Sequence, residues 1–185
     1  MSKLMSGLSQ WLYAVSSWRN ILLAGALFAG LTLSFPAWSA AVDKGQTLRL
    51  PDASFGVAVD EAYAYLDALD AEGHKLYASG ELTLDVVYLV VYSLLLAMLL
   101  SRLFPITYRL DSLVQPLHLL PFGAGFFDLM ENKAAVLLVI NYPDRMDGVA
   151  RLLNVFNQTK WILVGSSVAL LIASGAVLLV RRLRA

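Results

Sequence analysis

The chain of 185 residues is 58% hydrophobic with a mean hydropathy of +0.65. A soluble domain sits near roughly 45–50% apolar residues, so the excess here calls for a lipid-facing surface. Fourteen basic residues balance fourteen acidic ones, which speaks against a nucleic-acid surface built on bulk positive charge; zero cysteines exclude a disulfide framework, a CxxC redox pair, a thiolate metal site and c-type haem attachment.

Residues 1–19 read as a cytoplasmic amphipathic segment, because Leu8, Trp11, Leu12, Val15 and Trp18 recur at helical spacing. Residues 20–39, NILLAGALFAGLTLSFPAWS, hold no charge and are long enough to span a bilayer. A cleaved signal peptide is the rival reading, since Lys3 and Arg19 form a positive flank and Ala37-Trp38-Ser39 offers small residues at cleavage spacing. The long segment before the apolar run and its helical spacing favour an uncleaved span.

Residues 40–83 form a loop with a helix expected from about Asp60 to Leu69, Asp60 as its N-cap and Gly73 as its stop. Ala62, Leu66, Leu69 and Gly73 share one face, and a second short helix is expected around His74 to Ser79. The second span covers 84–104 and is closed by Pro105; a link at 105–116 follows. The third span covers 117–140, opened by Pro116 and Pro121 and followed by Pro143. Residues 141–160 read as a second outer loop with an interfacial helix, since Val149, Leu152, Leu153 and Phe156 repeat at i, i+3, i+4, i+7. Asn157-Gln158-Thr159 matches the outward-facing glycosylation pattern, a motif common by chance. The fourth span covers 161–180, with Trp161 at an interface, and 181–185 is a tail.

Basic residues near the spans set orientation. Lys3, Arg19, Arg102, Arg109, Arg181, Arg182 and Arg184 fall on one side, which is therefore cytoplasmic. The opposite side holds Asp43, Asp52, Asp60, Glu61, Asp67, Asp70, Glu72 and Glu81 in the large loop, with Lys44, Arg49, Lys75, Arg145, Arg151 and Lys160 more thinly spread. The fold class that results is an all-α membrane protein, a left-handed four-transmembrane-helix bundle with a mostly helical extracytoplasmic loop between its first two helices.

The chemistry lies in the third span, where Asp128, Glu131, Asn132 and Lys133 fall within apolar sequence. A central Asp or Lys costs roughly 2.5–3.5 kcal/mol on insertion scales, so such groups turn inward and find partners. Asp128, Glu131 and Asn132 sit at i, i+3 and i+4 on one face; Asp85, Tyr88 and Tyr92 share a face of the second span, and Lys133 is expected to reach outward to Asp85. Three readings follow: a structural polar patch, a proton or cation path, and a pair of carboxylates acting as acid and base or as oxygen ligands. No metal site is expected, because His118 lies ten residues before Asp128 and His74 belongs to the loop. Both histidines read as solvated or interfacial. There is no P-loop, GxSxG elbow or HExxH.

Two stretches, LTLDVVYLVVYSLLLAML at 82–99 and PFGAGFFDLMENKAAVLLVINYP at 121–143, resemble segments of small bacterial four-span membrane proteins without a settled function. The matching residues are Thr83, Asp85, Tyr88, Phe127, Asp128, Glu131, Asn132 and Pro143, with the neighbourhood of Leu76 and Tyr77. The resemblance implies a bacterial inner membrane and no activity. Small residues at four-residue spacing, Gly25 with Ala29, Ala26 with Gly30, and Gly165, Ala169 with Ala173, suit close helix approach, either inside the bundle or against a second copy or a membrane-protein partner. The functional expectation is a non-enzymatic accessory, assembly or binding subunit in the lipid bilayer, without a cofactor and without a nucleic-acid partner. A small proton-linked transporter using Asp128 and Glu131 is the alternative, and a lipid-active enzyme the third reading.

Overall fold

In hydrocarbon every backbone amide must find its partner within its own segment, and the apolar runs of this chain accordingly coil into helices. The computed structural model describes residues 3–46 and 54–184. Arg49 and Asp52, counted above in the large loop, lie outside the described residues, as does the side chain of Lys3. The described residues form helices α1 (Lys3–Val15), α2 (Trp18–Val42), α3 (Val59–Ala68), α4 (Ala71–Leu82), α5 (Leu84–Thr107), α6 (Leu120–Asn141) and α7 (Asp147–Leu183), with a 3-10 turn at Gln115–Leu119 before α6.

Among the described residues, three helical runs are long and apolar enough to cross a membrane: α2, the run from Ala71 to Thr107, and α7. The second of these joins α4 to α5 through the single residue Thr83, whose φ of −123° and ψ of −74° interrupt the helix. Helix α6 has a comparable length, 22 residues, but carries Asp128, Glu131 and Lys133. It packs along α7, α5 and α4, while α2 packs on α5 and α4, and α1 lies against α5.

One end of the bundle is capped by α3 and α4. Ala62, Tyr63, Tyr65 and Leu66 of α3 form a core with Tyr77 of α4, Ala134, Ala135 and Leu138 of α6, and Ala150 and Leu153 of α7. The opposite end holds α1 and the end of α7: Tyr13 donates to Gln115 Oε1 at 3.2 Å, and Arg181 donates to the Ile106 carbonyl at 3.3 Å. Glycine is required where helices approach most closely. A Cβ at Gly80 would overlap the Trp38 indole, and one at Gly125 would overlap the Ser93 hydroxyl.

Several sequence expectations change. Ala58, not Asp60, is the N-cap of α3, and Glu61 reaches back to accept from the Ala58 amide at 2.9 Å. Gly73 does not stop that helix. It lies in the first turn of α4, whose N-cap is Asp70, accepting from the Gly73 amide at 2.8 Å. Pro105 does not end α5, which continues to Thr107. No separate outer helix precedes the fourth apolar run: α7 begins at Asp147 and is continuous through Leu183. Its first turns bury Ala150 and Leu153 on α6 and leave Leu152 exposed, so packing carries the helix onward from the loop. In α1 Leu12 is fully buried, whereas Leu8 and Trp11 are exposed, as is Trp18 at the start of α2.

The small-residue motifs are not packed within the bundle. A Cβ on Gly25, Gly30 or Gly165 would meet nothing within 4 Å, and Ala29, Ala169 and Ala173 are exposed. Both histidines are packed, contrary to the solvated reading. His118 is buried, bonded to the Gln115 carbonyl and 5.1 Å from the Tyr13 ring; His74 Nε2 lies 2.9 Å from the Leu66 carbonyl, with its ring 4.7 Å from Tyr142.

Candidate functional site

The polar face of α6 divides between two neighbours. Asp128 and Glu131 turn toward α7, where Lys160 Nζ lies 3.0 Å from Asp128 Oδ1 and 2.6 Å from Glu131 Oε2. Tyr92 of α5 donates its hydroxyl to Asp128 Oδ2 at 2.9 Å, and Asn157 donates to Glu131 Oε1 at 2.9 Å. All five side chains are less than a tenth exposed. A buried charge keeps its place only when it is paired and its remaining lone pairs are bonded, and this arrangement supplies both.

Asn132, one residue beyond Glu131, turns the other way. Its amide donates to Asp85 Oδ2 at 2.6 Å and to the Glu81 carbonyl at 3.0 Å, tying α6 to the α4–α5 junction. Asp85 and Glu81 are themselves buried. Asp128, Glu131, Asn132, Asp85 and Tyr92 are thus brought together as two adjoining arms. Tyr88 joins through its ring, 5.3 Å from Phe28 and 4.9 Å from Phe35.

Lys133 does not join. It is exposed on the opposite side of α6, because a residue two positions from Glu131 points about 200° around the helix. The cation of the cluster is Lys160, placed by the sequence reading in the outer loop. Asn157 is likewise corrected: it is fully buried, and besides bonding Glu131 its side-chain oxygen accepts from the Gly56 amide at 2.7 Å. A side chain so enclosed is closed to glycosylation. The signal for both residues is a seam on α7, where Ala150, Leu153, Asn157, Lys160, Val164, Ser167, Leu171 and Ser174 alternate at three and four residues and are buried or half-buried throughout.

The loop before α3 is pinned to the same seam. Asn154 accepts from the Val57 amide at 2.9 Å next to the Asn157–Gly56 bond, so the ion cluster is tied to the cap of the bundle by two adjacent backbone amides.

Beside the cluster, α2, α5, α6 and α7 line a partly open cavity of about 490 Å³. That lies within the usual range of ligand pockets, about 300–1,000 Å³. Asp85, Tyr88, Tyr92, Asp128 and Lys160 line it on the side toward the cap; Phe28, Leu95, Leu96, Val164 and Val168 line the remainder, with Phe35 and Trp161 as further aromatic walls. The cavity is therefore mostly apolar, with its few charged groups on the cap side. Among the described residues, no group of three or more His, Asp or Glu side chains is gathered in a way that would hold a metal ion.

Comparison with protein-family models, curated proteins and solved structures returns no match, so functional inference rests on this chain's own residues.

Proposed function

We propose that the chain is a four-span protein of a bacterial inner membrane with both termini cytoplasmic, working as a non-enzymatic binding or accessory subunit whose ligand is an amphiphile taken from the bilayer. In this reading α6 is the remaining span. Its 22 residues reach about 33 Å at 1.5 Å per residue, enough for the hydrocarbon core. Pairing of Asp128 and Glu131 with Lys160 makes its polar face tolerable between neighbours, and exposed Lys133 lies close enough to the capped end for its stem to carry the ammonium outward.

The observation that carries the functional reading is the cavity. Its polar groups cluster toward the cap and its aliphatic groups toward the bundle middle, which matches a molecule with a polar head and an apolar chain. Under the proposed topology the head would lie toward the outer leaflet, oriented as a lipid is.

A proton path is less well supported. Between the Asp128–Lys160 cluster and the end of the bundle bearing the termini, α5 has no titratable residue from Ser93 to Ser101, α6 none from Leu120 to Phe127, and α7 none from Trp161 to Val180. A relay of ionisable groups across the bilayer would need some there.

The test is native mass spectrometry of the full chain released from its own membrane in a neutral maltoside detergent. The expected result is a co-purifying amphiphile that is lost when Val164→Trp or Leu96→Trp fills the cavity from its aliphatic wall, with melting temperature maintained. A parent protein that carries nothing above the background of bulk lipid would overturn the proposal.

A further inference from the structure

The cavity has a floor and two closed ends. Helix α5 forms the floor, with both α2 and α7 packed along it. Toward the cap, the Phe35 ring meets Tyr88 at 4.9 Å and Trp38 at 5.8 Å between centroids, and Trp38 donates to the Leu76 carbonyl at 3.3 Å, so α2 is fastened to α4 and α5 there. Toward the termini, Ile21 and Ala24 of α2 pack with Leu94, Leu95 and Met98 of α5. The seam between α5 and α7 is filled by Tyr92, Leu96, Leu163 and Val164.

The side between α2 and α7 differs. Among the described residues these two helices are not closely packed on each other. Three residues that line the cavity, Thr32 of α2 with Trp161 and Val168 of α7, are also exposed at the surface, the last two by 39% each. A residue that lines a cavity and reaches the outside at once marks its mouth. On α7 that mouth runs from Trp161 to Val168, about 10 Å along the helix axis. Both helices are long and apolar enough to cross a membrane, and Thr32 and Val168 lie well inside their apolar runs, so in a bilayer the mouth opens on hydrocarbon.

Two occupants suit such a gap, the chain of a lipid and a further transmembrane helix. Close approach of helices favours small residues at the contact. Here the lining is bulky, with Phe28, Phe35 and Trp161 beside Val164 and Val168, while Gly30, Gly165 and Ala169 do not line it. A thin, flexible hydrocarbon chain fits between such side chains, where a helix about 10–12 Å across finds no small-residue seam to enter.

We propose that the gap between α2 and α7 is a lateral opening through which the chain of a bilayer lipid enters and remains partly outside, its head against the wall of Tyr92 and Lys160. The ligand class is therefore a full-length membrane lipid, taken without a limit on chain length. This rests on the reading of the cavity as a ligand site and specifies how that site is reached.

The experiment measures binding of decanoyl-, tetradecanoyl-, octadecanoyl- and dioleoylglycerol to the full chain in maltoside micelles, by native mass spectrometry and thermal shift. The four share a glycerol head and differ in chain length and number. The long-chain and two-chain probes are expected to bind within about threefold of decanoylglycerol, because chain that protrudes through the gap stays in hydrocarbon and changes its surroundings little. Thr32→Trp narrows the gap from an exposed position and is expected to weaken dioleoylglycerol about tenfold more than decanoylglycerol. Val168→Trp narrows it from the facing helix and should do the same, which keeps the test in force if one variant misfolds. A sharp loss of binding beyond a given chain length in the parent, or rim variants that weaken both probes equally, overturns the lateral opening while the ligand cavity stands. A parent dimer that Thr32→Trp separates overturns it in favour of a helix from a second copy. Binding of none of the four, in a protein whose melting curve shows it folded, overturns the cavity reading itself.

Discussion

Lys160 Nζ lies 2.6 Å from Glu131 Oε2, a buried ion pair formed between two helices whose partners are 29 residues apart in the chain. Asp128 holds the same ammonium from one turn earlier on α6, so a single lysine neutralises part of two carboxylates that would otherwise repel. Removing the cation leaves both buried carboxylates exposed to that repulsion with little solvent contact to relieve it. Lys160→Met is therefore expected to destabilise the folded protein by roughly 3–5 kcal/mol, the usual consequence of breaking a buried pair from one side. Adding Glu131→Gln to that variant should recover part of the loss. Melting curves in detergent for the single and double variants check the claim, and a double variant less stable than Lys160→Met alone would contradict it.

Asn157 connects the ion cluster to the loop before α3, since it donates to Glu131 and accepts from the Gly56 amide. Asn157→Ala strands both partners, and an unsatisfied buried polar group costs roughly 1–3 kcal/mol. The loss should appear locally as well as globally: hydrogen exchange at the Gly56 amide is expected to quicken in Asn157→Ala, and at the Val57 amide in Asn154→Ala. Unchanged exchange at both amides would show that the loop is held by other contacts.

Glycines of the two kinds should separate cleanly. Gly80→Ala drives a methyl group into the Trp38 ring and is expected to lower the melting temperature. Gly165→Ala meets open space and sits inside α7, so helix propensity should raise stability by up to about 1 kcal/mol. Thermal unfolding of the two variants in parallel is the measurement. A Gly165→Ala variant that instead lost stability only in a dimeric fraction would point to that face as a contact between copies.

The start of α4 should be acid-sensitive. Asp70 lies outside the apolar runs, and the Lys44 ammonium hydrogen-bonded to it, followed by the Gly73 amide, holds its carboxyl below the ordinary carboxylate range. A depressed folded value means the contribution is complete above the unfolded carboxylate value, near about 4, and fades as pH falls through the folded one. Exchange at the Gly73 amide is accordingly expected to rise below about pH 4 in the parent. In Asp70→Asn, which retains an acceptor but does not titrate, that rise should be absent.

Orientation is checked by fused reporters. One placed after Ala185 is expected to be active only if it functions in the cytoplasm, and one placed near Gly73 only if it functions outside, because the basic residues flanking the apolar runs concentrate on the side of the termini. Opposite signals would reverse the proposed topology.

Long uncharged runs such as 20–39 and 161–180 are self-contained statements in the sequence, because a helix satisfies its own backbone and needs no partner to be recognised. The i, i+3, i+4 placement of Asp128, Glu131 and Asn132 is equally local, and so was their inward aim once burial of charge is counted as costly. What answered them was not local. Lys133 is adjacent in sequence yet exposed, whereas Lys160 and Asn157, separated by a turn and assigned to a loop, complete the cluster. Their three-and-four spacing on α7 was present in the sequence, but polar residues at seam positions look like the end of a span until the facing helix is known. The division of one polar face between α7 and the α4–α5 junction, and the cavity left beside it, depend on how α2, α5, α6 and α7 cross one another. Helical periodicity fixes which residues share a face; only packing decides which neighbour that face meets.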